Sequence, residues 1–111
     1  MIEQGDIVLV NFPLPTGFKL HPAVIVSNEE VYETEECYIG AMITSSKIHD
    51  NFSFELTNDM LTKPLDKPCQ VRCQLIALFN ENEIDKKISK LKKEHLSKLV
   101  RQISDNVLKI K

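Results

Sequence analysis

Gly5-Asp6-Ile7-Val8-Leu9-Val10-Asn11-Phe12-Pro13, followed after a short loop by His21-Pro22-Ala23-Val24-Ile25-Val26-Ser27-Asn28, decides the fold. Gly5-Asp6 is a turn signal. Ile7 to Phe12 is apolar on both faces of a two-residue repeat, which marks a strand buried on both sides. Pro13 has no N–H to give to a ladder and is expected to end the strand. The second stretch repeats the pattern with Pro22 at its edge. The expected opening is two strands joined by a loop of Leu14 to Leu20.

Further short strands are expected near 37–43, 52–56, 69–79 and 86–90. Glu29 to Glu36 is an acidic connection with little periodicity. Ser45 to Asn51 is a polar loop, and Asn58 to Pro68, with its prolines, has room for a helical turn but is too irregular for a strand. The period then changes: Leu96, Leu99, Val100, Ile103, Val107 and Leu108 fall at helical spacing, which predicts a helix over about 93–108 with one apolar face on the sheet. Many short strands and one covering helix point to a small, strongly bent β-barrel or sandwich.

The 111 residues amount to one domain, 1–111, able to bury roughly 60 to 70% of its unfolded surface. No apolar run approaches the roughly 20 residues of a membrane span, and no signal peptide opens the chain. The expected location is cytoplasmic. Cys37, Cys69 and Cys73 are an odd count, which argues against a disulfide framework. On a strand Cys69 and Cys73 lie about 13 Å apart along the chain, too far for one zinc ion. Buried structural thiols are expected.

The net charge of −2 is unevenly placed. Residues 1–62 hold ten acids and two bases, and residues 63–111 hold six acids and twelve bases. The acidic total speaks against a nucleic-acid binder, while the basic half leaves room for one. A solvated helix face accounts for many of those lysines equally well.

Chemistry centres on Gln70 to Leu75. Alternation puts Val71, Cys73 and Leu75 on a core face and Gln70, Arg72 and Gln74 on the other, which is expected to be a polar surface. Arg72 is the only arginine before the helix. Its guanidinium is always charged and binds two oxygens at once, which suits a phosphate; a solvated arginine or a surface ion pair fits the same position. Ile43-Thr44-Ser45-Ser46 ends a strand in three hydroxyls, which is also ordinary turn chemistry. His21 carries an imidazole, able to act as acid or base near neutral pH, or is a plain strand-end residue. His49, Asp50 and His95 have no readable partner and receive no role.

The two opening strands, Ala41-Met42-Ile43-Thr44-Ser45 and Val71-Arg72-Cys73 resemble the MazF/PemK family of toxin endoribonucleases over nearly the whole chain. The resemblance implies an SH3-like β-barrel with a C-terminal α-helix. It also implies the toxin of a type II toxin–antitoxin pair, cutting single-stranded RNA or mRNA without metal or cofactor. The ends left would be a 2′,3′-cyclic phosphate and a 5′-hydroxyl. The implied partners are a cognate antitoxin with a flexible acidic segment and a second copy in a homodimer, with no membrane. Carried over by position, Arg72 stabilises the cleaved phosphate, and Thr44 and, less directly, Ser45 contact it. His21 stands where the family usually has a catalytic Arg before the Pro. Gln74 stands where some members have Asp, and Gln orients groups but takes no proton. Gln70 lies on the same face, and both glutamines are expected among the RNA-binding residues.

The loop Pro15 to Leu20 is shorter than the family's usual one. Gly17 permits positive φ. Lys19 suits a phosphate, and Phe18 either stacks on a base or folds back over the barrel. Two other classes fit the same chain: a CcdB-type inhibitor that acts by binding a protein target, and an RNA-binding SH3-like module without cleavage.

Overall fold

The computed structural model describes residues 2–111. Strand β1 (Asp6–Leu14) turns into β2 (Gly17–Ile25), a helix α1 (Glu29–Glu35) leads to β3 (Tyr38–Thr44), and β4 (Ser53–Leu56), β5 (Cys69–Phe79) and β6 (Ile84–Lys90) follow. Helix α2 (Lys93–Gln102) runs on into a π-helical turn, Ile103–Val107. The strands form one antiparallel sheet in the order β4-β5-β3-β2-β1-β6. The chain is mainly β with a C-terminal helix, as the sequence predicts. The sheet is bent but not closed: no ladder joins β4 to β6, and a lone bridge from Leu61 to Leu91 links the two ends.

Two features of the opening differ from expectation. The loop of Leu14 to Leu20 is instead a tight hairpin, with Leu14 opposite Gly17 across Pro15-Thr16. Gly17 has φ of 121°, which its missing Cβ allows. Pro13 does not end β1; it pairs with Phe18. Both prolines sit where one side of the strand is open. Strand β6 pairs with β1 only along Asp6–Val10, and β3 pairs with β2 only along Ala23–Ile25. A missing N–H costs nothing on an open side.

Helix α1 replaces the expected irregular connection. Asn28 caps it by accepting from the Val31 N–H at 3.3 Å. Glu29 and Glu30 sit in the first turn, where the helix dipole favours carboxylates. Tyr32 docks it by stacking on Tyr38, with ring centroids 4.8 Å apart. The turn expected within Asn58 to Pro68 is a 3₁₀ turn, Asn58–Met60.

Apolar residues cluster on both faces of the sheet. On one, Ile7, Val24, Ile43, Val71 and Cys73 meet Leu96, Leu99 and Ile103 of the C-terminal helix. On the other, Val8, Val10, Phe12, Ile25, Met42 and Phe79 pack together. Of the predicted helix stripe, Val100 and Leu108 are exposed: Val100 lies beside the buried Leu99 but on the outer side of α2, and Leu108 lies past the π-helical turn. Cys73 is fully buried, but Cys37 and Cys69 are only half-buried. Asp6 is a buried carboxylate at the start of β1. It accepts from the Glu3 N–H at 2.8 Å, and Lys87 Nζ lies 3.0 Å from its Oδ1, a charge contact rather than an aligned hydrogen bond. No helix among the described residues is long and apolar enough to cross a membrane.

Leu99 is fully buried on the helix side of the core. Leu99→Ala is expected to lower the unfolding free energy by about 2–5 kcal/mol, whereas Val100→Ala, one residue on and exposed, shifts it by less than about 0.5 kcal/mol. Urea titration of both variants checks the direction of the helix face.

Candidate functional site

Two of the sheet's strands part company at one point. The β2–β3 ladder pairs Ala23 with Met42, Val24 with Ala41 and Ile25 with Gly40. Carried two steps further, that register sets His21 opposite Thr44, but the strands have separated there. Strand β3 turns toward β5, where a register shift sets the five steps from Val71 to Ile76 against the two from Ala41 to Ile43. Such bulges bend a strand away from its neighbour. A cleft of ≈ 520 Å³ opens in the fork. It is lined by His21 and Pro22 of β2, Ile43 and Thr44 of β3 and Ser45 just beyond it, Leu65, Asp66 and Lys67 of the β4–β5 connection, Cys69 at the start of β5, and Lys86 of β6. Consecutive residues of both strands line it, because a gap between diverging strands exposes both sides of each.

Three sequence-predicted residues therefore meet: His21, Thr44 and Ser45. Thr44 Oγ1 accepts from the Ser46 N–H at 3.2 Å, which leaves its own proton free to donate outward. Phe18 and Lys19 do not line the cleft; they project at the hairpin tip, where Phe18 is 66% exposed and so does not fold back over the barrel. Gln74 lies within the β5 bulge, with a buried Oε1 that has no partner among the described residues.

Arg72 corrects the expectation of a polar surface. It is buried, its side chain only 8% exposed, and both Nη atoms of its guanidinium are engaged. Nη1 donates to Asp50 Oδ1 at 3.0 Å and Nη2 to Asp50 Oδ2 at 2.9 Å, a two-pronged pair. Nη1 also donates to Ser53 Oγ at 3.0 Å and Gln70 Oε1 at 3.2 Å. Gln70, likewise buried, passes the grip on: its Nε2 donates to the carbonyls of Ser46 and Ile48. From the helix side, Gln102 Nε2 donates to the Ser53 carbonyl at 2.9 Å and Asn106 Nδ2 to the Asn51 carbonyl at 2.7 Å. The 45–53 loop, which begins at the cleft, is held from both sides.

Sequence reasoning missed Asp50, Asp66, Lys67 and Lys86. Asp50 is 22 residues from Arg72, and its signal is the need of a buried guanidinium for a carboxylate. Asp66 brings the cleft a carboxylate, which the family pattern would have placed at Gln74. Cys69 also lines the cleft, but burial pushes its thiol pKa up, which keeps it protonated and weakly nucleophilic. The larger cavity, ≈ 680 Å³, lies at the α1 end of the molecule. It holds none of the candidate residues, and its four carboxylates, Glu3, Glu29, Glu33 and Glu36, outnumber its two lysines, Lys90 and Lys93, which disfavours a polyanion.

The Arg72 guanidinium, then the Phe52 N–H, hold the Asp50 carboxyl below the usual carboxylate range. A depressed acid stabilises the fold above its ordinary pKa of about 4, and that contribution is lost as pH falls through the lowered value. Asp50→Asn is therefore expected to lower stability at neutral pH and to flatten its decline below pH 4, in thermal melts across pH 2–7. An unchanged acid limb would mean that the pair contributes nothing.

The chain was compared with known proteins. A family model described as PemK-like, MazF-like toxin of type II toxin-antitoxin system matches residues 3–107. None of the curated proteins compared with the chain matches it. Several solved structures share the fold. An endoribonuclease from a mycobacterial species, in complex with its cognate antitoxin, superposes with a TM-score of 0.77 at 12% identity, covering 100% of this chain and 99% of its own. MazF from Deinococcus radiodurans gives 0.77 at 12% identity and 97% of each chain. The Mycobacterium tuberculosis toxin MazF-mt6 gives 0.72 at 17% identity, with 90% of this chain and 93% of that one covered. With the family model spanning nearly the whole chain, this protein belongs to the PemK-like, MazF-like toxins of type II toxin–antitoxin systems.

Proposed function

We propose that this chain is a sequence-specific, metal-independent endoribonuclease that cuts single-stranded RNA in the cleft at the β2–β3 fork and so blocks translation and growth in the cytoplasm. One observation carries the reading: His21 and the Thr44-Ser45 pair, separate in sequence, meet in one cleft with two lysines. In the reaction the RNA 2′-hydroxyl gives up its proton, its oxygen bonds to phosphorus, and the P–O5′ bond breaks. The departing 5′-oxygen takes a proton. The products are a 2′,3′-cyclic phosphate and a 5′-hydroxyl.

His21 serves as an acid or base in these proton transfers, and the Thr44 hydroxyl donates to a non-bridging oxygen as charge builds there. Ser45 lies beside it. Arg72 acts through the 45–53 loop and not on the phosphate, because both its prongs are committed to Asp50. It is a positioning residue, with Gln70 as its extension. Phe18 and Lys19 at the hairpin tip bind flanking RNA by stacking and charge. The partner is a cognate antitoxin whose acidic segment fills the same cleft, and the working unit is a homodimer. The mycobacterial endoribonuclease that shares the fold is itself bound to its cognate antitoxin.

A second reading, RNA or protein binding without cleavage, draws on the same engagement of Arg72 and on His21 in place of the usual Arg. Incubation with a long unstructured RNA in EDTA, followed by end-group analysis, separates the two. Discrete fragments with cyclic-phosphate ends are expected, with turnover falling about 10²–10³-fold in Thr44→Val and about 10²–10⁴-fold, with a changed pH profile, in His21→Gln. Intact RNA at high protein concentration overturns the nuclease reading.

A further inference from the structure

We propose that Lys86 and Lys67 supply the fixed positive charge that the cleft presents to an RNA phosphate, a role that Arg72 does not fill. This rests on the cleft being the RNA site. A pentacovalent phosphorus intermediate carries charge on its non-bridging oxygens, and fixed cations are the usual means of stabilising it. The guanidinium of Arg72 is buried, both its Nη atoms are bound to Asp50, and it does not line the cleft. The cleft's remaining cations are Lys67 and Lys86.

Their placement follows from register. Lys86 pairs with Leu9, and Leu9 pairs with Pro22, so the three form one row across β6, β1 and β2. Neighbours across a sheet point to the same face, and all three line the cleft. A register shift between Ile7 and Val8 sets this row. Had the pairing of Ile7 with Ser89 continued unshifted, Leu9 would face Lys87. The two adjacent lysines thereby take different fates. Lys87 lies 3.0 Å from the buried Asp6, and Lys90 is 2.9 Å from Glu3, whereas Lys86 and Lys67 form no ion pair among the described residues. Lys67 is also backbone-anchored: its carbonyl accepts from Cys69 Sγ at 3.2 Å, and prolines at 64 and 68 stiffen the segment. Asp66 is the one carboxylate in the lining, so two cations face one anion. An ammonium on a four-carbon stem is a mobile point charge, suited to following an oxygen as its charge grows.

The experiment uses the full chain and a single-stranded RNA oligonucleotide, 2′-O-methylated throughout so that it cannot be cut. Binding is read by fluorescence anisotropy from 50 to 300 mM salt. Lys86→Met and Lys67→Met are each expected to weaken binding about 3- to 10-fold at low salt and to reduce the slope of log K against log salt by about 0.7. Lys86→Arg should retain most of both, and Lys109→Met, at the exposed chain end, should match wild type. On a cleavable RNA, the Met variants should lose more in kcat than in KM. If wild type binds or cuts RNA and the Met variants keep its slope and rates, the lysine assignment is wrong while the nuclease reading stands. If wild type binds with a lysine-dependent slope but never cuts, the nuclease reading fails and the assignment stands. Absence of any RNA binding by wild type overturns both.

Discussion

A guanidinium with little access to water must be paired, and much of this molecule's local geometry follows from that requirement. Arg72 sits on β5 opposite Ser53 of β4, close to where the core begins. An unpaired charge there would cost several kcal/mol. The 45–53 loop answers by folding back until Asp50 grips the guanidinium with both oxygens, while Ser53 and Gln70 add further acceptors at Nη1. The loop leaves the sheet at Thr44, so fixing its body fixes the point where it departs. Gln102 and Asn106 close the arrangement from the other side, which ties the helix end to the same turn. A charge pair, a loop and a helix terminus thus become one unit, and the cleft wall is part of it.

The fork in the sheet is the second consequence of competition between strands. Strand β3 has to satisfy β2 on one side and β5 on the other, but β5 carries a long bulge opposite Met42 and draws β3 away. Strand β2 meanwhile stays with β1 to the hairpin tip. Proline at position 22 makes the separation inexpensive, since it loses no ladder bond where β2 has β1 as its only neighbour. A concave site with polar groups at strand ends is the outcome, placed by backbone pairing and not by any single side chain.

The strands are legible in the sequence because apolar runs bounded by Gly, Pro and polar stretches have few other solutions. The features that escape are those decided by contacts between distant residues. Helix α1 has almost no apolar periodicity because one stacked pair, Tyr32 on Tyr38, holds it down; only its cap, Asn28 before two glutamates, is visible in advance. Alternation correctly separates Arg72 from Val71 and Cys73, but it does not say what covers the second face. A loop does so here, and a residue that alternation marks as solvent-facing is buried. The cleft lysines and Asp66 are similarly hidden, since Lys86 reaches His21's neighbourhood only through the order β2-β1-β6 and a shifted register. His21 and Thr44 are legible individually, from strand-end chemistry and family resemblance, while their meeting requires the register.

Net charge is a poor guide to partners in this chain, and the topology explains why. The acidic excess of the first half is concentrated in α1 and its flanks, which join the Ile25 end of β2 to the Tyr38 end of β3. The cleft lies at the opposite ends of those two strands, at His21 and Thr44, roughly 13–20 Å away at about 3.3 Å per residue. At physiological salt, charges so far apart are largely screened from one another. The carboxylates of α1 therefore do little to cancel the lysines at the cleft, and the two ends of the sheet present opposite potentials. On the proposed reading, this separation is what lets a polyanion dock at the fork although the chain as a whole is negative.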